Sequence, residues 1–480
     1  MKFRDAVGGE GRMTHAPGEG RATPPGLADR LAAIVGADHV RTAPGELEVY
    51  ARDATPLFHQ RPDVVVLPGS TDEVAAVLRL ATELGVPVVP RGAGSNLCAA
   101  TVPLRGGIVL VLTRLTEILE VSAPELLARV QPGVSTQQLA AAAAELGLLY
   151  VPDPGSRVVS TVGGNVATCA GGLRGLKYGV TRNYVLGLEV VLPTGEVIRT
   201  GGRLWKDVAG YDLTRLMTGS EGTLGVITEV TVALLPAPAV TRTGVAYFAD
   251  LAAAGRAVDA VIGSGVTPAT CEFLDRTCVV AVEEYAHLGL DTEAGALLLF
   301  GDDGDAAVVD SSLARIADIC AGQGASGVTL AADVAQSEEL LAARRCSLPA
   351  LSRLGSLTIL EDATVPRPRM AEMVDRIAAI ADSYRLTVGT FGHAGDGNLH
   401  PTCVLDAADT DAIARAHEAF GDIFGAAIDL GGTITGEHGV GAAKLPYLAR
   451  RLGDDQVALL RRIKTAFDPA GILNPGKLGS

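Results

Sequence analysis

Two short motifs in the second half of the chain hold most of the residues that could do chemistry. The first runs from His393 to His400 around the turn sequence Gly-Asp-Gly-Asn, and the second is Thr-Gly-Glu-His-Gly over residues 435–439. The turn sequence predicts a hairpin with strands 387–393 and 398–405, and His393 and His400 should lie opposite or nearly opposite each other. Directly opposed side chains have Cβ atoms roughly 4.5–5.5 Å apart. That separation would let two imidazoles reach one metal ion.

Two structural histidines are the plainer explanation of this hairpin, and for a bare pair it is the better one. The second motif changes the balance, because Glu437 and His438 are adjacent inside a Gly-rich turn. Two histidines and one carboxylate form a common catalytic zinc site with open coordination positions. The same donors also suit other divalent metals.

Three Gly-rich segments in the first half could hold an anionic cofactor. They are residues 91–96, which follow a predicted strand, residues 152–172, and residues 219–228. Their glycines would let main-chain N–H groups approach a diphosphate, and Arg91 would offset its charge. Each segment alone is equally compatible with a simple turn or surface loop, although a structureless loop as long as 153–179 usually has a function. Neither a P-loop nor a Rossmann fingerprint is present.

The elements that must position these motifs follow from the hydrophobic pattern. Strand 64–68, a helix that begins at Ser70 with a capping signature, and strand 86–90 predict a parallel crossover unit. The other elements predicted in the first half are helix 26–36, a linker as far as Arg61, strands 108–112 and 127–130, helix 136–146, and strands 186–192 and 197–200. Prolines at 236–238 predict a domain boundary, followed by strand 243–248 and helix 252–262 in an α+β pattern.

Composition limits the class of protein. The formal charge of −15 disfavours nucleic acid as a partner and suggests a soluble chain. The sequence contains no stretch long and apolar enough to predict a transmembrane segment. The seven cysteines form no C-x-x-C pair, which argues against a disulfide framework and against iron–sulfur ligation. Residues 1–25 are expected to be a disordered extension. A cytoplasmic location is expected, and peripheral association with a membrane stays open.

Taken together, residues 90–96, 152–172, 177–179 and 219–228 resemble the PCMH-type FAD domain of the vanillyl-alcohol-oxidase flavoproteins. The closest branch is the glycolate oxidase D-subunit, D-lactate dehydrogenase and D-2-hydroxyglutarate dehydrogenase group. The resemblance extends from about Gly26 to Leu478, and the ending 467–477 is typical of that group. It implies an α+β, two-domain fold: a PCMH-type FAD-binding domain over 26–237, then a C-terminal α+β substrate (cap) domain over 238–480. The last segment, about 430–480, would return to the FAD domain.

The resemblance also implies FAD, bound without a covalent link because loop 91–96 lacks the histidine that some relatives attach to the flavin. The residues that it assigns to the cofactor are Pro90, Arg91, Gly92, Ala93, Gly94, Ser95, Asn96, Pro152, Asp153, Pro154, Gly155, Ser156, Thr161, Gly163, Gly164, Asn165, Ala167, Gly171, Glu221, Gly222, Gly225, Val226, Ile227 and Asn474.

For the second half, the resemblance implies a divalent metal, with zinc expected, bound by His393, His400 and Glu437. It implies His438 as the catalytic base and Asn398 as a residue that orients the site.

Arg344 lies where the group carries an arginine that binds the substrate carboxylate. A solvated helix arginine is the alternative, and the neighbouring Arg345 keeps the choice open. Residues 361–366 also match the group. Members that act on dicarboxylates carry a lysine where this chain has the apolar Ile359 or Leu360, which favours lactate, glycolate or a similar monocarboxylate.

The resulting hypothesis is FAD-dependent oxidation of a small D-2-hydroxy acid to its 2-oxo acid, by metal-assisted deprotonation and hydride transfer to flavin. Electrons would leave to a quinone, a cytochrome, an iron–sulfur subunit or an electron-transfer flavoprotein, and a homodimer stays open. Two alternatives remain: a non-catalytic flavin-binding subunit of a larger oxidase complex, and a metal-dependent hydrolase.

Overall fold

The computed structural model describes residues 23–480, so most of the extension predicted over 1–25 lies outside the described residues. The helices are α1 Leu27–Val35, α2 Pro44–Val49, α3 Thr71–Leu84, α4 Thr136–Ala144, α5 Val162–Thr168, α6 Gly175–Tyr178, α7 Leu213–Met217, α8 Leu251–Gly263, α9 Arg276–Ala286, α10 Ala306–Gly322, α11 Val334–Arg345, α12 Ser347–Leu351, α13 Met370–Tyr384, α14 Thr410–Asp429, α15 Leu448–Leu452 and α16 Asp454–Phe467. The strands are β1 Val40–Arg41, β2 Val64–Val66, β3 Val88–Arg91, β4 Ile108–Val111, β5 Ile118–Ser122, β6 Leu127–Val130, β7 Leu148–Leu149, β8 Val185–Val191, β9 Val197–Gly201, β10 Val226–Ala233, β11 Leu235–Pro236, β12 Val240–Phe248, β13 Thr270–Asp275, β14 Ala296–Gly304, β15 Gly327–Leu330, β16 Leu357–Leu360, β17 Ala363–Thr364, β18 Thr387–His393 and β19 Asn398–Leu405.

The described residues divide into two units. The first unit comprises residues 23–170, Val180–Ala237 and Glu437–Ser480, and the second comprises Gly171–Gly179 and Pro238–Gly436.

The short segment Gly171–Gly179 is bound to the rest of the second unit by an ion-pair cluster. Lys177 Nζ lies 2.7 Å from a carboxylate oxygen of Asp302 and 2.7 Å from one of Asp303. The Tyr178 hydroxyl donates to the same Asp303 oxygen at 2.6 Å. Because Asp302 and Asp303 are almost fully buried, they need this cation nearby.

The first unit contains two main sheets. One has the strand order β1-β2-β4-β3, in which β2 and β3 both pair in parallel with β4. The predicted crossover from β2 through α3 to β3 is therefore present, with β4 between its strands. The other main sheet is antiparallel with the order β5-β6-β10-β8-β9, and β11 pairs with β7. The Ser70 side chain caps α3 by accepting from the Glu73 amide, as the capping signature predicts.

The second unit is one eight-stranded sheet with helices on both faces. The strand order is β15-β12-β14-β13-β18-β19-β16, and β17 also pairs with β19. Helices α8, α10, α13 and α14 pack in one group, and α9, α11 and α12 pack in another. Strand β14 is buried along nearly its whole length, as expected for a strand covered on both sides.

The predicted mixture of helices and sheets is confirmed, and two local predictions were wrong. The segment expected to be a linker before Arg61 contains β1 and α2. The long loop expected over 153–179 contains α5, whose N-terminus is capped by Thr161 Oγ1 accepting from the Gly164 amide. No helix among the described residues is long and apolar enough to cross a membrane.

Candidate functional site

A row of polar side chains crosses the sheet of the second unit. Glu272 on β13 pairs directly with His393 on β18. His393 also pairs with Asn398 on β19, which pairs in turn with Thr364 on β17. Directly paired residues on neighbouring strands point to the same face of a sheet, so these four side chains lie next to one another.

The hairpin predicted around the two histidines is confirmed, with a refinement of its register. His400 pairs with Phe391, so it lies diagonally across from His393 on the same face. The centroids of the two imidazoles are 5.2 Å apart, and their planes are nearly perpendicular. Both side chains are buried. Two imidazoles at this separation can bind one metal ion.

Glu272 is a residue of this site that sequence reasoning missed. Its Oε1 lies 2.7 Å from Nδ1 of His393, and its Oε2 accepts from Nε of Arg344 at 2.7 Å. Because Glu272 contacts Nδ1, a metal would be coordinated by Nε2 of His393. The signal in the sequence is a charged residue in the middle of a short, otherwise largely apolar strand. A buried charge of this kind requires a partner.

The structure distinguishes the two neighbouring arginines of α11. Arg344 is buried, and its guanidinium carbon lies 4.6 Å from the centroid of the Phe391 ring. Arg345 is partly exposed. Arg344 is therefore not the solvated helix arginine that the sequence left open.

Asp362 and Asn398 hold the end of the second unit in place. The fully buried Asp362 accepts from the Gly436 amide at 2.8 Å and also from the side-chain amide of Asn398. Asn398 Nδ2 donates in addition to Thr364 Oγ1 at 2.8 Å. A Cβ atom at position 436 would lie 2.3 Å from Thr364 Oγ1, so only glycine fits there. Asn398 thus orients the backbone that leads into the second motif.

Within the second motif, Glu437 begins the last segment of the first unit. Both carboxylate oxygens of Glu221 accept main-chain amides just beyond this motif, from Val440 and Gly441, at 2.7 Å each. Burial raises the pKa of Glu221, and these two hydrogen bonds oppose the rise. His438 Nε2 lies 3.8 Å from Glu437 Oε1, and both side chains are largely buried.

Within the first unit, the predicted cofactor segments approach one another closely at their glycines. A Cβ atom on Gly92 would lie 2.3 Å from Thr161 Oγ1, which brings the first and second segments together. A Cβ atom on Gly222 would lie 3.1 Å from Pro90 Cγ, which does the same for the first and third. Side chains at these glycines would close the surface between the segments.

The third segment is also joined to the second segment and to the C-terminal residues. The Glu221 amide donates to the Ala167 carbonyl at 2.8 Å. Asn474 Nδ2 donates to the carbonyls of Glu221 and Ala100 at 2.8 and 2.9 Å. Both Glu221 and Asn474 have left-handed backbones, with φ of 54° and 41°.

The Arg91 side chain packs against the backbone of its own loop. Its Nη1 donates to the Arg52 carbonyl at 2.7 Å, and Gly94 lies directly against its guanidinium. Burial lowers the pKa of Arg91. No acceptor within residues 23–480 is found for the main-chain amides of residues 92–96. The loop therefore offers a run of N–H groups, as an anion such as a diphosphate requires.

Other residues predicted to bind the cofactor also make contacts within the protein. Asn165 Nδ2 donates to Thr136 Oγ1 at 2.7 Å, and Gly163 packs closely on Pro132. Asp153 is paired with Arg157 at 3.3 Å. Gly171 belongs to the second unit and is not part of the surface formed within the first.

These observations fit the two groups that the resemblance implies. The Gly-lined surface with its run of N–H groups suits a dinucleotide, and the two imidazoles backed by a carboxylate suit a divalent metal. A unit with a surface suited to a dinucleotide and a unit with this polar cluster agree with the flavin-dependent oxidoreductase class that the resemblance implies.

Comparison with known proteins agrees with this class. Residues 62–201 match the model of the FAD binding domain, and residues 237–478 match that of the FAD linked oxidases, C-terminal domain. The chain is 50% identical to glycolate oxidase subunit GlcD of Bacillus subtilis (strain 168), over 90% of this chain and 92% of that protein. It is 37% identical to D-lactate dehydrogenase of Anaerostipes hadrus, over 87% and 90% of the two chains.

The solved structure of p-cresol methylhydroxylase with substrate bound has the same fold, with a TM-score of 0.81 at 18% identity, covering 95% of this chain and 98% of that one. The chain belongs to the family of FAD-linked oxidases. The predicted family, the PCMH-type FAD domain and the oxidoreductase class are thereby confirmed.

Proposed function

We propose that this protein oxidises a small D-2-hydroxy acid of the glycolate or D-lactate type to the corresponding 2-oxo acid, with non-covalently bound FAD. The observation that carries the proposal is the group His393, His400, Glu272 and Arg344 on one face of the sheet in the second unit. The names of the two relatives, a glycolate oxidase subunit and a D-lactate dehydrogenase, support this class of substrate.

Arg344 binds the carboxylate of the substrate in this proposal. Its Nε is held by Glu272, which fixes the plane of the guanidinium and leaves the terminal amino groups for a second carboxylate. The buried Ile359 and Leu360 offer no cation for a distal carboxylate, so a monocarboxylate is the better substrate.

His393, His400 and Glu437 would hold a divalent cation, for which zinc is the proposed ion. A cation bound there would lower the pKa of a coordinated substrate hydroxyl by several units. His438 accepts the hydroxyl proton on its imidazole. The residues on either side support this arrangement, because Gly436 is held by Asp362 and Val440 by Glu221.

Residues 90–96, 152–167 and 221–227 would hold FAD, which when bound supplies the acceptor for the hydride of the substrate carbon. We propose that the electrons then pass to a separate acceptor, either a partner redox subunit, a quinone, a cytochrome or an electron-transfer flavoprotein. The word "subunit" in the name of one relative supports a partner of this kind.

Anaerobic reduction of the flavin tests the proposal. Bound flavin absorbs at about 450 nm, and this absorbance is lost when the flavin is reduced. We expect bleaching by D-lactate or glycolate, none by L-lactate, and loss of bleaching after treatment with a chelator. A protein that binds no flavin, or whose flavin no hydroxy acid reduces, would contradict the proposed function.

The variant His438→Ala tests the proposed base. We expect it to retain FAD and to be reduced by substrate at least about 100-fold more slowly, because a general base contributes roughly 10²–10⁴ to the rate. The control is His39→Ala, a partly exposed histidine near the start of the first unit, which should leave the rate unchanged. Stopped-flow absorbance measures both, and an unchanged rate in His438→Ala would end the assignment.

A further inference from the structure

We propose that Glu272 is a positioning residue that links the metal ligand His393 to the substrate-binding Arg344, so that affinity for metal and affinity for hydroxy acid both depend on this one carboxylate. The inference rests on the proposed function. It concerns a residue that lies at least 70 positions from its two partners in the sequence.

The first argument is the separation of the two carboxylate oxygens. Oε1 lies 2.7 Å from the imidazole, and Oε2 lies 2.7 Å from the guanidinium. The side chains of Glu272, Arg344 and His393 are at most 9% exposed. Water therefore cannot readily replace either hydrogen bond. Loss of one partner would leave a buried carboxylate uncompensated and would strongly destabilise the folded protein.

The second argument concerns His393. A carboxylate on Nδ1 holds the proton there, directs Nε2 away from Glu272 and raises the basicity of Nε2 toward a metal. The strand register contributes to this orientation, because Glu272 and His393 are directly paired on β13 and β18. Loss of such an outer partner typically weakens metal binding by about 10–100-fold.

The third argument concerns Arg344. One edge of its guanidinium is held by Glu272, and its face packs on the ring of Phe391. Phe391 is in turn the strand partner of His400, the other proposed histidine ligand. The orientation of the arginine is therefore set by the same strands that carry the histidines, and Glu272 is the hydrogen-bonding link between the two functions.

Glu272→Gln is the sharpest variant. The glutamine amide has one acceptor oxygen and one donor group, whereas both neighbours of Glu272 are donors. The amide oxygen of the introduced glutamine can therefore accept a hydrogen bond from either His393 or Arg344. Its NH₂ group must then face the N–H group of the remaining residue, to which it cannot donate. Glu272→Asp keeps the charge and both acceptors but is one methylene shorter, so it should lie between wild type and Glu272→Gln.

The experiment uses the full chain loaded with FAD and stripped of metal. The dissociation constant for zinc is measured by competition with a chromophoric chelator, and KM and kcat for D-lactate or glycolate are measured after zinc is restored. We expect Glu272→Gln to weaken zinc binding by about 10–100-fold, to raise KM, or both, with the FAD content unchanged.

The matched control is Asp275→Asn at the end of the same strand, where the carboxylate accepts the amides of Cys278 and Thr390. It should perturb β13 without altering zinc affinity or KM. Equal losses in this control would show a merely structural effect and overturn the inference.

The outcomes separate the two proposals. Tight zinc binding by the wild type, with unchanged zinc affinity and KM in both Glu272 variants, overturns only the role of Glu272. A wild-type protein that binds no zinc contradicts the proposed metal site, and the link to it falls as well. If Glu272→Gln does not fold, Glu272→Asp carries the test with the same readouts.

Discussion

At the level of single side chains, the two adjacent arginines at the end of α11 illustrate how burial decides a role. In the sequence they are equivalent. In the structure Arg344 is 7% exposed, bonded to Glu272 and packed on Phe391, whereas Arg345 is partly exposed. Only the arginine with a fixed plane is suited to bind a small carboxylate through two parallel hydrogen bonds.

Replacement of each arginine by lysine tests this distinction. Arg344→Lys keeps the charge but loses the fork and the Nε donor, so we expect KM for the hydroxy acid to rise about 10–100-fold with FAD content unchanged. Arg345→Lys is the control and should stay within about twofold of wild type. Steady-state kinetics with an artificial electron acceptor measure both, and the reverse pattern would reassign the carboxylate to Arg345.

The sequence predicts one part of the metal site and not the other, for a physical reason. The two histidines are close in the chain, and the turn sequence between them fixes their strands against each other. Glu272 reaches His393 only because β13 and β18 are neighbours in the sheet. Strand order within a large sheet follows from long-range packing, which no local pattern encodes.

At the level of elements, Gly436 approaches strands β17 and β19 closely. A methyl group at this position would overlap Thr364 Oγ1 and lie 2.8 Å from Asn398 Nδ2. The backbone would have to move away from Asp362, which now holds it. The residue displaced next along the chain is the proposed ligand Glu437.

Gly436→Ala should therefore weaken zinc binding by about 10-fold or more and slow flavin reduction, while FAD stays bound. The matched control is Gly322→Ala at the end of α10, where a Cβ atom meets nothing within 4 Å. That change should be neutral or slightly stabilising. Zinc competition and thermal unfolding measure both variants, and normal zinc affinity in Gly436→Ala would show that the segment tolerates the shift.

Helix α5 shows why one element of the cofactor surface was predicted as a loop. Its sequence, Val-Gly-Gly-Asn-Val-Ala-Thr, contains glycines and β-branched residues that disfavour a helix. The surroundings compensate: Thr161 caps its start, Asn165 bonds to Thr136, and Val162 and Val166 are buried in the core. Tertiary contacts thus override local propensity at the place where close backbone approach demands glycine.

At the level of the whole molecule, the first unit is completed by residues that arrive last in the chain. Leu473 forms a bridge with Val88, and Ile472 and Leu473 are buried in the core of the first sheet. The buried Lys464 Nζ donates to the Thr223 carbonyl at 2.7 Å. The residues before position 238 therefore lack part of their own core.

A chain truncated after Gly436 should consequently fail to bind FAD and lose the cooperative unfolding of the first unit. Because domains are stable by only roughly 5–15 kcal/mol, we expect loss of the buried contacts of residues 437–480 to unfold the first unit. Flavin absorbance and calorimetry provide the measurements. Addition of residues 437–480 as a separate chain is the control and should restore some binding, whereas FAD binding by the truncated chain alone would contradict the expectation.

The interleaving of the two units also constrains how such proteins can diversify by recombination. A single genetic crossover inside the second unit would combine the Glu221 and Ala100 of one parent with the Asn474 of another. Transfer of residues 238–436 as a cassette leaves Glu221, Ala100 and Asn474 from the same parent. It then combines Lys177 of one parent with Asp302 and Asp303 of the other. Because either exchange divides buried, charged or hydrogen-bonded partners, new substrate preferences in this architecture should arise by gradual substitution rather than by shuffling.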